Sequence, residues 1–97
     1  MKINANYDKT GFSALKISDN AFKIVAGERI DSFEIINYMK YRQENNRYDI
    51  FVHASRKNPG KLTAIIDNNK YRQHGKSTIK FLEKLCIKAD KMQAETK

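Results

Sequence analysis

Tryptophan is absent from the 97-residue sequence, and cysteine and proline occur once each. A single cysteine, Cys86, cannot form an internal disulfide, which excludes a small secreted domain held together by disulfides. No apolar run approaches the roughly 20 residues that a membrane-spanning helix needs. Residues 1–7 lack the apolar core of a signal peptide. We therefore expect a cytoplasmic protein with no membrane partner.

Acidic residues are few as well. Lys and Arg number 19 against 11 Asp and Glu, which gives a formal net charge of +8. This balance excludes an acidic mimic of DNA. The length predicts a single domain over 1–97, with residues 94–97 as a frayed tail, and it is too short for a P-loop nucleotidase, a Rossmann domain or a barrel enzyme. An apolar fraction of 40% is sufficient for one core and argues against a disordered chain.

The chemistry of metal sites and catalysis has little support in the sequence. His53 and His74 lie 21 residues apart and no pair of cysteines accompanies them, so we expect no metal, no cofactor and no catalytic residue. Gly75 and the three residues after it match the end of the P-loop pattern, but Lys70 stands where that pattern requires another glycine. Nucleotide hydrolysis is therefore rejected. The helix N-terminus beside Lys76 is retained as a position for a phosphate group.

The positive charge is concentrated in one part of the chain. Residues 1–37 hold five cationic and five acidic side chains, whereas residues 38–97 hold fourteen and six. The whole net charge therefore lies in the second part, which indicates a neutral scaffold followed by a basic working region.

Secondary structure in the first part is predicted from short apolar alternations. Strands are expected at 3–7, 12–17 and 21–26, although the second segment also suits a helical turn. An amphipathic helix is expected at 32–45, because Asp31 and Glu34 have capping-box spacing. Ile30 and Ile35 occupy the positions of a hydrophobic staple before it. The apolar residues that share one arc of this helix are Phe33, Ile35, Ile36 and Met39.

A β-hairpin over 48–66 is the clearest local prediction. Residues 48–55 alternate between apolar and polar, and residues 58–61 read Asn-Pro-Gly-Lys. Proline fits the second position of a type II turn, and glycine fits the positive φ of the third. A polar loop is expected at 67–76. A final helix then begins at Ser77 or Thr78 and runs to about residue 93.

Together these elements predict an α+β fold with the order β-β-β-α-β-β-α. We expect two layers, in which two helices cover one face of an antiparallel sheet of about five strands.

The last helix separates two kinds of residue on opposite arcs. The apolar arc holds Ile79, Phe81, Leu82, Leu85, Cys86, Ala89 and Met92. The other arc holds the lysines Lys76, Lys80, Lys84, Lys88 and Lys91. Like charges four residues apart cost an isolated helix about 0.2–0.5 kcal/mol per pair. A phosphate partner would offset that cost, and the alternative is a solvated face kept cationic for solubility.

Three basic segments are candidates for one contact surface: the hairpin tip, the loop at 67–76 and the lysine arc. The residues expected to bind nucleic acid are Arg56, Lys57, Lys61, Lys70, Tyr71, Arg72, Lys76, Lys80, Lys84 and Lys88. Tyr71 is a candidate for base stacking, and Gln73 and His74 beside it are candidates for contacts to base edges. The alternative for Tyr71 is a ring that covers the edge of the sheet.

The leading functional hypothesis is a non-enzymatic protein that binds DNA or RNA with low sequence specificity, as an accessory factor of a phage or mobile element. One alternative is a small inhibitor or adaptor that binds a host protein or nucleoprotein through its basic face. Another is a ribonuclease toxin that needs no metal and uses His53, His74, Tyr71 and Arg72. Exposure of Tyr38, Tyr41 and Arg42 would mark a partner surface, and burial would mark the edge of the core.

Overall fold

The computed structural model describes residues 14–95 of the chain. The elements in chain order are β1 (Leu15–Ile17), α1 (Asp19–Glu28), α2 (Ser32–Gln43), β2 (Ile50–Ala54), β3 (Leu62–Ile66), β4 (Asn69–Arg72) and α3 (Thr78–Glu95). The strands form one sheet in the order β1-β2-β3-β4. The helices pack on one face of this sheet and enclose the core, so the α+β class is confirmed.

Details of the predicted fold differ from the structure. The described residues form four strands and three helices, where about five strands and two helices were expected. The sheet is mixed and not antiparallel throughout, because β1 pairs with β2 in parallel. Helices α1 and α2 form the crossover that such a parallel neighbour requires. The strand expected at 3–7 and the start of the one expected at 12–17 lie outside the described residues.

The strand prediction for 21–26 is wrong, because this segment belongs to helix α1. Ser18 has extended backbone geometry, and its hydroxyl oxygen accepts a hydrogen bond from the N–H of Ala21 at 3.2 Å. This is an N-cap, and Asp19 adds a favourable negative charge in the first turn. Ala21 and Val25 lie one helical turn apart and are both fully buried. In a strand Lys23 would share their face, but it is exposed, as the helical period requires.

Helix α2 begins where the sequence predicts, but for a different reason. The side chain of Asp31 makes no capping hydrogen bond. Its carboxylate is paired with the guanidinium of Arg29 instead, with both N···O distances at 3.0 Å. Ile30 is fully exposed, so the predicted staple with Ile35 is also absent. The capping box and the staple are therefore both wrong, although the helix itself is confirmed.

The predicted hairpin is confirmed. β2 and β3 pair antiparallel from Ile50↔Ile66 to Ala54↔Leu62. Gly60 has a φ of +83°, as the third position of the turn requires. The N–H of Lys61 donates to the carbonyl of Asn58 at 3.1 Å and closes the turn.

The polar segment at 67–76 is only partly a loop, because it contains strand β4. Asp67 and Asn68 both have positive φ, at 49° and 69°. Two such residues form the tight turn that matches the twist of a hairpin. β4 then pairs antiparallel with β3, and the loop prediction holds only for the short connection to α3. Acidic and amide side chains tolerate this conformation, so the signal was present in the sequence.

Helix α3 covers the sheet with the apolar arc predicted for it. Leu82 and Ala89 are fully buried, whereas Cys86 is only partly buried. A partly buried polar contact joins the helix to the end of α2. The amide of Gln43, which is 1% exposed, donates to the carboxylate of Asp90 at 3.1 Å.

Candidate nucleic-acid interface

A groove of about 870 Å³ runs between β4, the connection after it and the exposed face of α3. Six cationic residues line it: Lys70, Arg72, Lys76, Lys80, Lys84 and Lys88. No acidic residue is among the residues that line the groove. A cavity with charges of one sign attracts a polyanion, because the potentials of the side chains add within it.

Helix geometry accounts for the lysines on one wall. Lys80, Lys84 and Lys88 are spaced by four residues, so they project from the same face of α3. The opposite side of the helix is fixed by burial of Leu82 and Leu85 in the core. The direction of the lysine face therefore follows from the packing of the apolar face.

The hairpin tip is joined to this groove by a direct contact. The ammonium group of Lys61 donates a hydrogen bond to the backbone carbonyl of His74 at 2.9 Å. The cations of the hairpin tip, Arg56, Lys57 and Lys61, also line a smaller groove of about 380 Å³ beside the strands. Lys70 and Arg72 line both grooves, so the two adjoin at β4.

The structure thus brings the cations of the three predicted basic segments onto one surface. We call this the basic surface. Its residues are Arg56, Lys57, Lys61, Lys70, Arg72, Lys76, Lys80, Lys84 and Lys88.

Tyr71 lines the groove, but its ring is only partly accessible. The side chain is partly buried against the core. The ammonium nitrogen of Lys88 lies 5.2 Å from the centroid of its ring. This is the arrangement expected for a ring that covers the sheet edge, with a cation over its face. Because the Tyr71 ring is held against the core, only part of it is accessible to a stacking base.

The side chain of Gln73 is buried and hydrogen-bonded to the protein backbone. It is 6% exposed, and its side chain accepts a hydrogen bond from the N–H of Leu62 at 3.0 Å. Its amide donates to the carbonyl of Gly75 at 2.9 Å. These bonds shape the connection that carries His74 and Lys76, and they leave the amide of Gln73 committed within the protein. Contacts from this amide to base edges are therefore no longer expected.

The phosphate position expected at the N-terminus of α3 is occupied by the protein itself. The carboxylate of Glu28 accepts hydrogen bonds from the N–H and the hydroxyl of Thr78 at 2.6 and 2.8 Å. Longer contacts come from the hydroxyl of Ser77 at 3.3 Å and the N–H of Ile79 at 3.4 Å. Burial by itself raises the pKa of Glu28, but these hydrogen bonds outweigh it and lower that pKa. Lys76 therefore contributes charge to the groove without a vacant helix terminus beside it.

On α2, the residues Tyr38, Tyr41 and Arg42 lie at the surface. Tyr38 and Tyr41 are 62% and 70% exposed, so they are not at the edge of the core. Tyr38 and Arg42 line a separate groove between α2 and α3, where Glu34, Glu83 and Asp90 are also present. Mixed charge distinguishes this groove from the basic surface.

Metal and membrane sites have no support in residues 14–95. Within that range no three His, Cys, Asp or Glu side chains come together in a way that would hold a metal ion. None of the described helices combines the length and the apolar character needed to cross a bilayer.

Comparison of the chain with models of protein families, with curated proteins and with solved structures finds no match. Function is therefore inferred from the chemistry of the basic surface.

Proposed function

We propose that this protein binds nucleic acid without catalysis and with low sequence specificity, through the basic surface. The observation that carries the proposal is the groove beside α3, which six cationic residues line and no acidic one. A role as an accessory factor of a phage or mobile element remains a prediction from size and charge.

The kind of cation favours phosphate attraction over base reading. Five of the six cations in the groove are lysines, and Arg72 is the sixth. Lysine acts as a compact, hydrated point charge, whereas arginine presents the planar fork that reads guanine in a major groove. Bound phosphates would also offset the repulsion between Lys80, Lys84 and Lys88 along the helix.

The test is a salt titration of duplex DNA binding by Lys80→Ala and Lys84→Ala. For each phosphate neutralised, the slope of log K against log salt is about −0.9 on duplex DNA. Each substitution should therefore reduce the magnitude of the slope by about one unit and weaken binding almost equally across sequences. Circular dichroism should show an unchanged fold, since removal of a like charge relieves repulsion in the helix.

Lys23→Ala is the matched control. Lys23 is an exposed lysine on α1 that does not line the groove, so its removal should leave the slope unchanged. If Lys80→Ala and Lys84→Ala have the slope of the wild type, the lysine face of α3 is not part of the site.

The same experiments separate the two competing functions. An inhibitor or adaptor of an acidic protein would bind free nucleic acid weakly at every salt concentration, and the lysine substitutions would weaken only the protein complex. A ribonuclease would shorten an RNA substrate without added metal. A double substitution, His53→Ala with His74→Ala, would then reduce cleavage by about a hundredfold or more, as expected for loss of general acid–base chemistry.

A further inference from the structure

The face of the sheet opposite the helices is not covered by any of the described residues. Two rows of side chains cross it, and strand register defines both. One row is Lys16, Phe51, Ile65 and Lys70. The other is His53, Thr63 and Arg72. All seven are exposed or partly exposed, and none is acidic.

Phe51 is the phenylalanine in these two rows. Its side chain is 39% exposed, so part of the ring is accessible to a ligand. The ammonium nitrogen of Lys16 lies 5.2 Å from its ring centroid. Lys16 also pairs with Asp49, just before β2, at 3.3 Å. Lys16 therefore lies over one face of the Phe51 ring and is itself paired with an acid, so a base that stacks on that face displaces its half-exposed ammonium group.

His53 extends the aromatic surface along the same strand. It lies two residues after Phe51, so both side chains project from the same face, about 6.8 Å apart along the strand. That separation leaves room for one base on each ring. Arg72 belongs to the same row as His53, and Lys70 to the same row as Phe51.

We propose that this outer sheet face binds the unpaired bases of a single-stranded nucleic acid, with one base stacked on Phe51 and the next on His53. This inference rests on the proposed function and names the form of nucleic acid that the protein takes. Bases are accessible to a flat aromatic platform only when they are unpaired. Lys70 and Arg72 border both the outer face and the groove, so they would lead the phosphate backbone from one to the other.

The binding test compares Phe51→Leu with Phe51→Tyr. Leucine retains apolar packing but lacks an aromatic face, whereas tyrosine retains the face. The probes are oligo(U), oligo(dU) and a duplex DNA with the same number of phosphates. Phe51→Leu should weaken binding of the single strands about tenfold, the lower part of the range for one stacked base, and should leave duplex binding unchanged. Phe51→Tyr should bind as the wild type does. Comparison of the affinities for oligo(U) and oligo(dU) shows whether the protein prefers RNA or DNA.

Phe33→Leu is the control for loss of an exposed phenylalanine. Phe33 lies on α2 and is 60% exposed, away from the outer sheet face. Its substitution should leave the affinity for every probe unchanged.

Phe51→Trp gives a second readout that does not depend on the leucine variant. The chain contains no tryptophan, so this residue would be a unique fluorophore. A base stacked on the indole should quench its emission as oligo(U) is added, and the duplex should not.

The outcomes distinguish the two proposals. If Phe51→Leu binds single strands as the wild type does, or if the emission of Phe51→Trp is not quenched, the outer face is not the site. The proposed function still stands in that case, provided that the lysine variants lose affinity. Equal losses of single-strand and duplex binding in Phe51→Leu would likewise overturn stacking. If the wild type binds none of the three probes, both proposals fail.

Discussion

The carboxylate of Glu28 and residue Thr78 are 50 positions apart in the sequence, and both the N–H and the hydroxyl of Thr78 donate to that carboxylate. The contact joins the end of α1 to the start of α3. It satisfies N–H groups that a helix leaves unpaired at its start, and it places a negative charge at the positive end of the helix dipole. Glu28 therefore acts as a long-range cap for the helix that carries the lysine face.

Glu28→Gln should lower the free energy of unfolding by about 1 kcal/mol at neutral pH, the usual scale for loss of a cap. Because folding lowers the pKa of Glu28 below 4.5, the stability it contributes is present above that value. It is lost as the pH falls through the lower pKa of the folded state. Urea unfolding from about pH 7 to about pH 3 should show the two proteins converging in acid.

Glu83→Gln is the control for this prediction. Glu83 is an exposed acid within α3 and does not cap a helix. Its substitution should change stability much less than Glu28→Gln does at neutral pH. A difference between wild type and Glu28→Gln that is the same at every pH would contradict the capping role of the carboxylate.

The turn at the hairpin tip gives a prediction about glycine. Gly60→Ala should cost about 1 kcal/mol of stability, because φ is +83° there and an alanine side chain is strained in that region. No atom lies within 4 Å of the position that a Cβ would take, so the cost is conformational and does not arise from a clash.

Gly27→Ala is the matched change in helix α1, where space is equally open. It should raise stability by up to about 1 kcal/mol. Thermal unfolding of both variants would test the contrast, and a stabilised Gly60→Ala protein would contradict the turn.

Cys86 should react slowly with thiol reagents. Burial is the largest cause that raises the pKa of its thiol, to about 11, and the charges of Asp90 and Glu83 act in the same direction. Alkylation by iodoacetamide at about pH 8 should then be on the order of a hundredfold slower in the native protein than in urea, since only the thiolate reacts. The native rate should rise as the pH approaches 11. Equal rates in the native and unfolded protein would show that the thiol is accessible and unperturbed.

Local patterns in the sequence are sufficient for the hairpin and the last helix. The turn at Pro59 and Gly60 depends on the backbone preferences of those two residues, and the alternation around it depends on a period of two. The apolar arc of α3 follows from a period of 3.6. Ser18 and the pair Asp67–Asn68 were equally local signals, one for the cap of α1 and one for the turn before β4. The turn at Asp67–Asn68 was not predicted, because β4 has few apolar residues and the whole ten-residue segment was therefore interpreted as a polar loop.

Only the tertiary structure decides which distant segments meet. Parallel pairing of β1 with β2 depends on how α1 and α2 pack, and no residue in β1 encodes it alone. The carboxylate of Glu28 reaches α3 across 50 residues, which turns an expected phosphate position into an internal cap. Phe51 belongs to a well-predicted strand, but its setting beside Lys16 arises from pairing between strands. The amounts and positions of charge are properties of the sequence, whereas their convergence around β4 is a property of the folded chain, because contacts between distant residues form only when the common core is packed.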